Sequence, residues 1–225
     1  MVDAAPPAPK HRRRHLSLTE WRALLAATQD DLFDTALLHA LYGLGLRACE
    51  VGRLTLDHAK ELHRGLFYTP RGKGGRAGWL EIDAATSSAL RKWIDFIYPN
   101  RDKRKATDPI FPGERFKGPR RPLGRHGVYR AVQRLGRAAG IPVELAHPHA
   151  IRHGLIMHIY EAGMARRMPL DEIILALAAR VGHATAQTTL KNYISETKGA
   201  KKLIRDVLGA NLSAERDDDD SSSTE

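Results

Sequence analysis

A mainly α-helical fold with one small antiparallel β-sheet is what this sequence predicts, and three observations carry the prediction. Apolar residues recur at spacings of three and four through most of the chain. One stretch breaks that rhythm, where two short runs rich in aromatic and branched residues flank a Gly-rich turn. Cap residues and glycines stand where helices would begin and end.

Taken in order, Ser17 followed by Glu20 is a capping-box pattern, and Leu18, Trp21, Leu24 and Leu25 continue it at helical spacing. A second helix is marked by Leu32, Ala36, Leu37, Ala40 and Leu41 and stopped by Gly43 and Gly45; a short third is expected from Arg47 to Leu54. Leu66, Phe67 and Tyr68, the turn from Pro70 to Gly75, and the run Trp79 to Ile82 predict two strands around a basic tip. Further helices follow at Leu90, Trp93, Ile94 and Ile97, and at Val128, Ala131, Val132 and Leu135, with Tyr98 to Pro122 expected as a long polar connection. Pro148 precedes a helix from His149 to Ala162, and Pro169 opens one from Leu170 to Arg180. Lys201 to Leu208 is a last amphipathic stretch, suited by Leu203, Ile204, Val207 and Leu208 to docking on its own domain or on a neighbouring copy.

Composition bounds what such a fold is for. The 225 residues hold 36 Lys plus Arg against 26 Asp plus Glu and one cysteine, Cys49. A single cysteine excludes an internal disulfide and a Cys-rich zinc site, and it fits a reducing cytoplasm. No apolar run approaches the ~20 residues that cross a bilayer, and the basic start is not followed by a signal-peptide core. The ends are expected to be disordered: residues 1–16 as a basic arm and 210–225 as an acidic, Ser-rich tail. The stretch from Ser213 carries a net −5, so the rest of the chain stands at +15. That excess favours a polyanion such as nucleic acid, because each phosphate neutralised releases counterions.

Four segments carry residues capable of chemistry. Arg47 opens a helix within apolar surroundings, so it needs an anionic partner, either Glu50 or Asp57 in the ordinary case or a ligand otherwise. Lys73, flanked by Arg71 and Arg76, sits at the Gly-rich tip; such tips are commonly just solvated, but this one is also placed to meet a phosphate or donate a proton. His149 and Arg152 lie one turn apart on one helical face, a spacing that allows them to meet a single oxyanion; the ordinary alternative is a helix-capping histidine beside a surface arginine. His149 and His153 at i and i+4 also mimic half a zinc site, yet with no glutamate between them and no third ligand metal binding is not expected. The fourth segment holds His183 and, ten residues on, Tyr193. Ionising a phenol of pKa ~10 at pH 7 costs about 4 kcal/mol. A lone tyrosine ordinarily packs; a nucleophilic one requires a base or strong positive charge nearby, which these segments taken together are able to supply.

In this order the segments resemble the catalytic domain of the tyrosine recombinase (phage integrase) family, whose signature is Arg, Lys, His-x-x-Arg, Gly-His and Tyr. The likeness includes Gly45-Leu46-Arg47 followed by Glu50, the turn Gly72-Lys73-Gly74, His149 to Arg152, Gly182-His183 with Thr188-Thr189, and then Tyr193, so it spans Ser17 to Tyr193. The resemblance implies the tyrosine recombinase (DNA breaking-rejoining enzyme) fold over residues 17–209 and a site-specific recombinase acting on double-stranded DNA. It implies that Arg47, His149, Arg152 and His183 hold the scissile phosphate while Tyr193 attacks it, giving a 3′-phosphotyrosyl enzyme and a 5′-hydroxyl. Lys73 is then the acid for the leaving oxygen, His149 assists the phenol's proton transfer, and Arg71 and Arg76 contact DNA. No metal and no nucleotide cofactor is implied, and a homotetramer on DNA is.

Two departures accompany the resemblance. The ten-residue interval from His183 to Tyr193 is one longer than the commonest family pattern. Only 16 residues precede the first helix, where typical members carry a helical core-binding domain, so a minimal enzyme of viral or mobile-element origin, or a fragment, is expected. Two other functions stay open at this point: relaxation of the type IB topoisomerase kind, and a DNA-binding module without catalysis.

Overall fold

The computed structural model describes residues 15–70, 77–113 and 121–182. Seven α-helices and two strands make up the regular structure of these residues: α1 (Leu18–Ala26), α2 (Leu32–Tyr42), α3 (Ala48–Val51), β1 (Leu66–Thr69), β2 (Gly78–Glu81), α4 (Ala84–Ile97), α5 (Arg125–Ala138), α6 (Pro148–Ala165) and α7 (Leu170–Val181), with short 3-10 turns at Leu56–Ala59, Leu62–Arg64 and Arg101–Lys103. The mainly helical prediction with one small sheet holds. The expected N-terminal arm, the acidic tail and the stretch Lys201 to Leu208 lie outside the described residues.

The predicted start of α1 is a complete capping box. Glu20 N donates to Ser17 Oγ at 3.2 Å, and Ser17 N donates to Glu20 Oε2 at 2.8 Å. Asp31 caps α2 in the same way, its Oδ1 accepting from Asp34 N at 2.9 Å. α2 buries Phe33, Ala36, Leu37, Leu38, Ala40 and Leu41, too many for one stripe, because it runs through the middle of the molecule between α4 and α6. The buried carboxylate of Asp34 is met by Arg134 of α5, whose Nη2 lies 2.6 Å from both oxygens and ties these two helices together.

The hairpin pairs Leu66 with Glu81, Phe67 with Leu80, Tyr68 with Trp79 and Thr69 with Gly78. Strand alternation puts Phe67 and Thr69 inside while Tyr68 packs edge-on to Trp79. β2 ends at Glu81, one residue before the expected Ile82, and Ile82 N instead donates to Gly65 O at 2.8 Å.

Two sequence expectations are corrected. The third helix stops at Val51, three residues short of Leu54, since Leu54 O accepts from Ile110 N at 2.9 Å and Thr55 bridges to Pro109. The same pairing overturns the reading of Tyr98 to Pro122 as a plain polar connection. Ile110 and Phe111 within it are fully buried, Trp93 Nε1 donates to Ile110 O at 2.7 Å, and Phe33 packs its ring edge against both Trp93 and Phe111. A second, smaller apolar cluster of Leu155, Ile156, Ile173, Leu177 and Val181 joins α6 to α7.

Candidate active site

The site begins at the turn between α2 and α3. Gly45 takes φ +60, the left-handed region in which a side chain is strained, and a Cβ there would lie 3.0 Å from Leu155 Cδ2. Leu44 and Leu46, fully buried on either side, fix this turn in the core. Its carbonyl then faces α6, and the next residue out is Arg47.

Arg47 is the N-cap residue of α3. The anion expected for it is Glu50: Arg47 N donates to Oε2 at 2.8 Å and Arg47 Nη1 to Oε1 at 3.0 Å, while Asp57, the other candidate, pairs with Lys60 at 3.3 Å. Burial is divided unevenly, because the Glu50 side chain is 1% exposed and that of Arg47 42%. Arg47 is thus not the buried arginine the apolar surroundings implied. It is a half-exposed cation held at its root by a buried carboxylate, which leaves its surface facing outward for a second anion.

Arg152 is the buried one, at 4% exposure. Its Nη1 donates to the carbonyl of Gly45 and its Nη2 to the carbonyl of Val181 at 2.8 Å. Two main-chain acceptors from different segments therefore orient the guanidinium, a task that suits its planar fork and that an ammonium cannot perform.

α6 starts as Pro148 predicts, and His147 is its N-cap, Nδ1 accepting from Ala150 N at 3.1 Å. That bond leaves the His147 proton on Nε2. His149 follows in the first turn, its ring 4.3 Å from that of His153 and 6.3 Å from that of His147. Although His149 is exposed over much of its surface, desolvation first, then the neighbouring His153, His147, Arg152 and Arg47, push its pKa down to about 4. At neutral pH it is an uncharged imidazole and a proton acceptor.

Arg47, His149 and Arg152 line one cavity of about 210 Å³, together with Cys49, Arg125 and Tyr129. The amino end of the 18-residue α6 borders it and adds the positive pole of the helix. His149 and Arg152, one turn apart on α6, line the same cavity, and Arg47 is brought to it from 102 residues away along the chain. Arg125 and Tyr129 are additions that periodicity overlooked. They stand on the α5 face beside the apolar stripe, with the Arg125 guanidinium 5.4 Å from the Tyr129 ring. Larger grooves of about 430 and 550 Å³ run along α4, but acidic and basic groups are mixed there, as in the Arg104–Asp95 pair at 2.6 Å. Among the described residues no group of three or more His, Cys, Asp or Glu is placed to hold a metal ion. Lys73, Arg71, Arg76, His183 and Tyr193 lie outside the described residues.

The described residues form a mainly helical domain with a cationic cavity at the start of the helix that carries His149 and Arg152, and comparison with known families places it. The model of the phage integrase family matches residues 14–199, and this chain belongs to that family. It is 29% identical over 194 residues to the tyrosine recombinase XerD of Xanthomonas campestris pv. campestris, covering 82% of this chain and 56% of that one. The chain thus spans little more than half of that relative's length. The same fold is found in a crystal structure of XerA recombinase, with TM-score 0.67, 21% identity, and coverage of 88% of this chain and 65% of that one. It is also found in the XerH site-specific recombinase bound to its difH substrate, with TM-score 0.58, 20% identity and coverage of 79% and 49%.

Proposed function

We propose that this chain is the catalytic portion, over residues 17–209, of a site-specific DNA recombinase that cuts and rejoins double-stranded DNA through a 3′-phosphotyrosyl intermediate. The observation that carries the reading is the meeting of Arg47, His149 and Arg152 around one small cavity of a strongly basic protein. A phosphodiester under attack gains negative charge, and fixed cations aimed at its oxygens stabilise that state more than the ground state. One such charge at ~4 Å and an effective dielectric of ~20 contributes about 4 kcal/mol before desolvation.

Arg47, Arg152 and His183 hold the non-bridging oxygens. The Tyr193 oxygen forms a bond to phosphorus, its proton passing to the neutral His149, while the bond from phosphorus to the 5′-oxygen breaks and Lys73 protonates that oxygen as it leaves. Arg71 and Arg76, on either side of Lys73, contact the DNA backbone. The linkage energy stays in the phosphotyrosyl bond, so rejoining needs neither nucleotide nor metal. Strand exchange requires two such duplexes, and we place the active assembly as a homotetramer on DNA, in a cytoplasmic enzyme of integrating or excising type associated with a mobile element or virus.

The test is a nicked suicide duplex of random sequence. A covalent protein–DNA adduct is expected from the unaltered protein and none from Tyr193→Phe; an adduct that survives this change overturns the assignment. Sequencing the captured ends identifies the target site. Affinity for DNA is expected to fall steeply with added salt.

A further inference from the structure

Arg180 stands in the last turn of α7, on no motif that composition or spacing singles out. Its Nη1 donates to the carbonyl oxygen of Glu81 at 2.5 Å, and Glu81 is the last residue of β2. Two residues on, Asp83 caps α4, accepting from Thr86 N at 2.9 Å and from the Thr86 hydroxyl at 2.7 Å. Thr86 in turn meets His39 Nδ1 at 3.1 Å, which carries the connection into α2. Arg180 is partly exposed; burial lowers its pKa and the nearby Asp83 partly offsets this.

The next residue along, Val181, gives its carbonyl to Arg152. One turn of helix is therefore fastened on both sides: by Arg152 to the Gly45 loop, and by Arg180 to the foot of the β1–β2 hairpin. Gly182, at φ +64, then ends the helix, and His183 follows in the chain.

We propose that Arg180 is a positioning residue, which fixes the base of the hairpin that carries Lys73 against the end of α7 and so sets the lysine's register with the scissile phosphate. The inference rests on the reading of Lys73 as the acid for the leaving 5′-oxygen. Arg180 has no part in binding the phosphate; its effect passes through the placement of one proton donor.

A sulfur leaving group isolates that step. An alkoxide leaves poorly without a proton, the pKa of water being about 15.7, whereas a thiol of pKa about 8.5 departs as thiolate. Single-turnover cleavage is measured on the captured target sequence, once with the natural 5′-oxygen and once with a 5′-bridging phosphorothiolate. Arg180→Ala and Arg180→Lys are compared with the unaltered protein and with Lys73→Ala. Loss of the tether is expected to slow the oxygen substrate by about 10- to 100-fold, with the sulfur substrate cleaved at close to the unaltered rate. Equal loss on both substrates, or no loss on either, overturns the inference. Arg180→Lys keeps a donor and supplies the same ratio of rates if the alanine variant fails to fold. If Lys73→Ala is rescued by sulfur and the Arg180 variants are not, only this inference fails; if Lys73→Ala is not rescued, the reading of Lys73 falls and this one with it.

Discussion

Glu50, buried in the core, accepts from both ends of Arg47: its main-chain N–H at 2.8 Å and its guanidinium at 3.0 Å. The arrangement fixes root and head of one side chain with a single carboxylate. It also makes the two residues unequal, because one is buried and the other half-exposed.

Arg47→Ala removes the cation from beside a buried carboxylate, and the expected loss of stability is about 3 kcal/mol, the lower end for breaking a buried pair. Glu50→Gln keeps the shape and leaves a solvated arginine, so about 1.5–2 kcal/mol is expected, the lower end of the range for a hydrogen bond to a charged group. Urea denaturation of both variants checks the order. Adduct formation is expected to vanish in Arg47→Ala and to weaken in Glu50→Gln, whose guanidinium is present but loosely held.

Arg152→Lys tests whether charge or fork geometry matters. Lysine conserves the charge but cannot reach the carbonyls of Gly45 and Val181 together. An unsatisfied buried carbonyl costs about 1–3 kcal/mol, so with one of the two left unmet a fall of about 1–3 kcal/mol is expected in denaturation, with cleavage lost. A lysine variant of unaltered stability would show that the two carbonyls are otherwise satisfied.

His149 gives the site a pH signature. Its pKa in the folded protein, about 4, lies below the ordinary 6.5 of an unfolded chain. Between those values the unfolded chain binds more protons, so stability falls as the pH is lowered from 6.5 toward 4 and this contribution is flat below. His39, His58, His147 and His158 are lowered in the same direction, chiefly by burial, and steepen the acid loss. Ring resonances followed by NMR are expected to show the His149 midpoint near 4 in the free protein. Adding duplex DNA is expected to raise it, since a phosphate in the cavity favours the imidazolium. A midpoint unmoved by DNA would place the phosphate elsewhere.

These sites differ in how much of them the sequence discloses, and the difference follows from the range of the interactions. Ser17 and Glu20, or Arg47 and Glu50, act within one turn, so spacing alone announces them. His149 and Arg152 are legible for the same reason. Ile110 and Phe111 make too short an apolar run, between Pro109 and Pro112, to register as buried; contacts from distant segments explain them, Phe33 of α2 on the Phe111 ring and Trp93 of α4 on the Ile110 carbonyl. Arg125 and Tyr129 are hidden because α5 looks adequately explained by its apolar stripe. Arg180 is more distant still: its acceptor is a main-chain carbonyl in β2, an atom every residue has and no motif encodes.

Gly45 offers a test of backbone against packing. A Cβ on this residue meets two objections, the positive φ of +60 and Leu155 Cδ2 at 3.0 Å. The first costs roughly 1–2 kcal/mol for an L-residue, and the second depends on whether the leucine yields. Gly45→Ala is therefore expected to destabilise by about 1–3 kcal/mol and to displace the carbonyl that receives Arg152. Adding Leu155→Val withdraws the clashing methyl but cannot change φ. In a double-mutant cycle the coupling between the two changes reports the packing share alone. The backbone share persists in the double variant, and with it the misalignment of Arg152. Cleavage is accordingly expected to stay depressed in Gly45→Ala, Leu155→Val even where its melting temperature recovers toward that of Leu155→Val. Recovery of both together would assign the whole defect to the methyl contact and none to the turn.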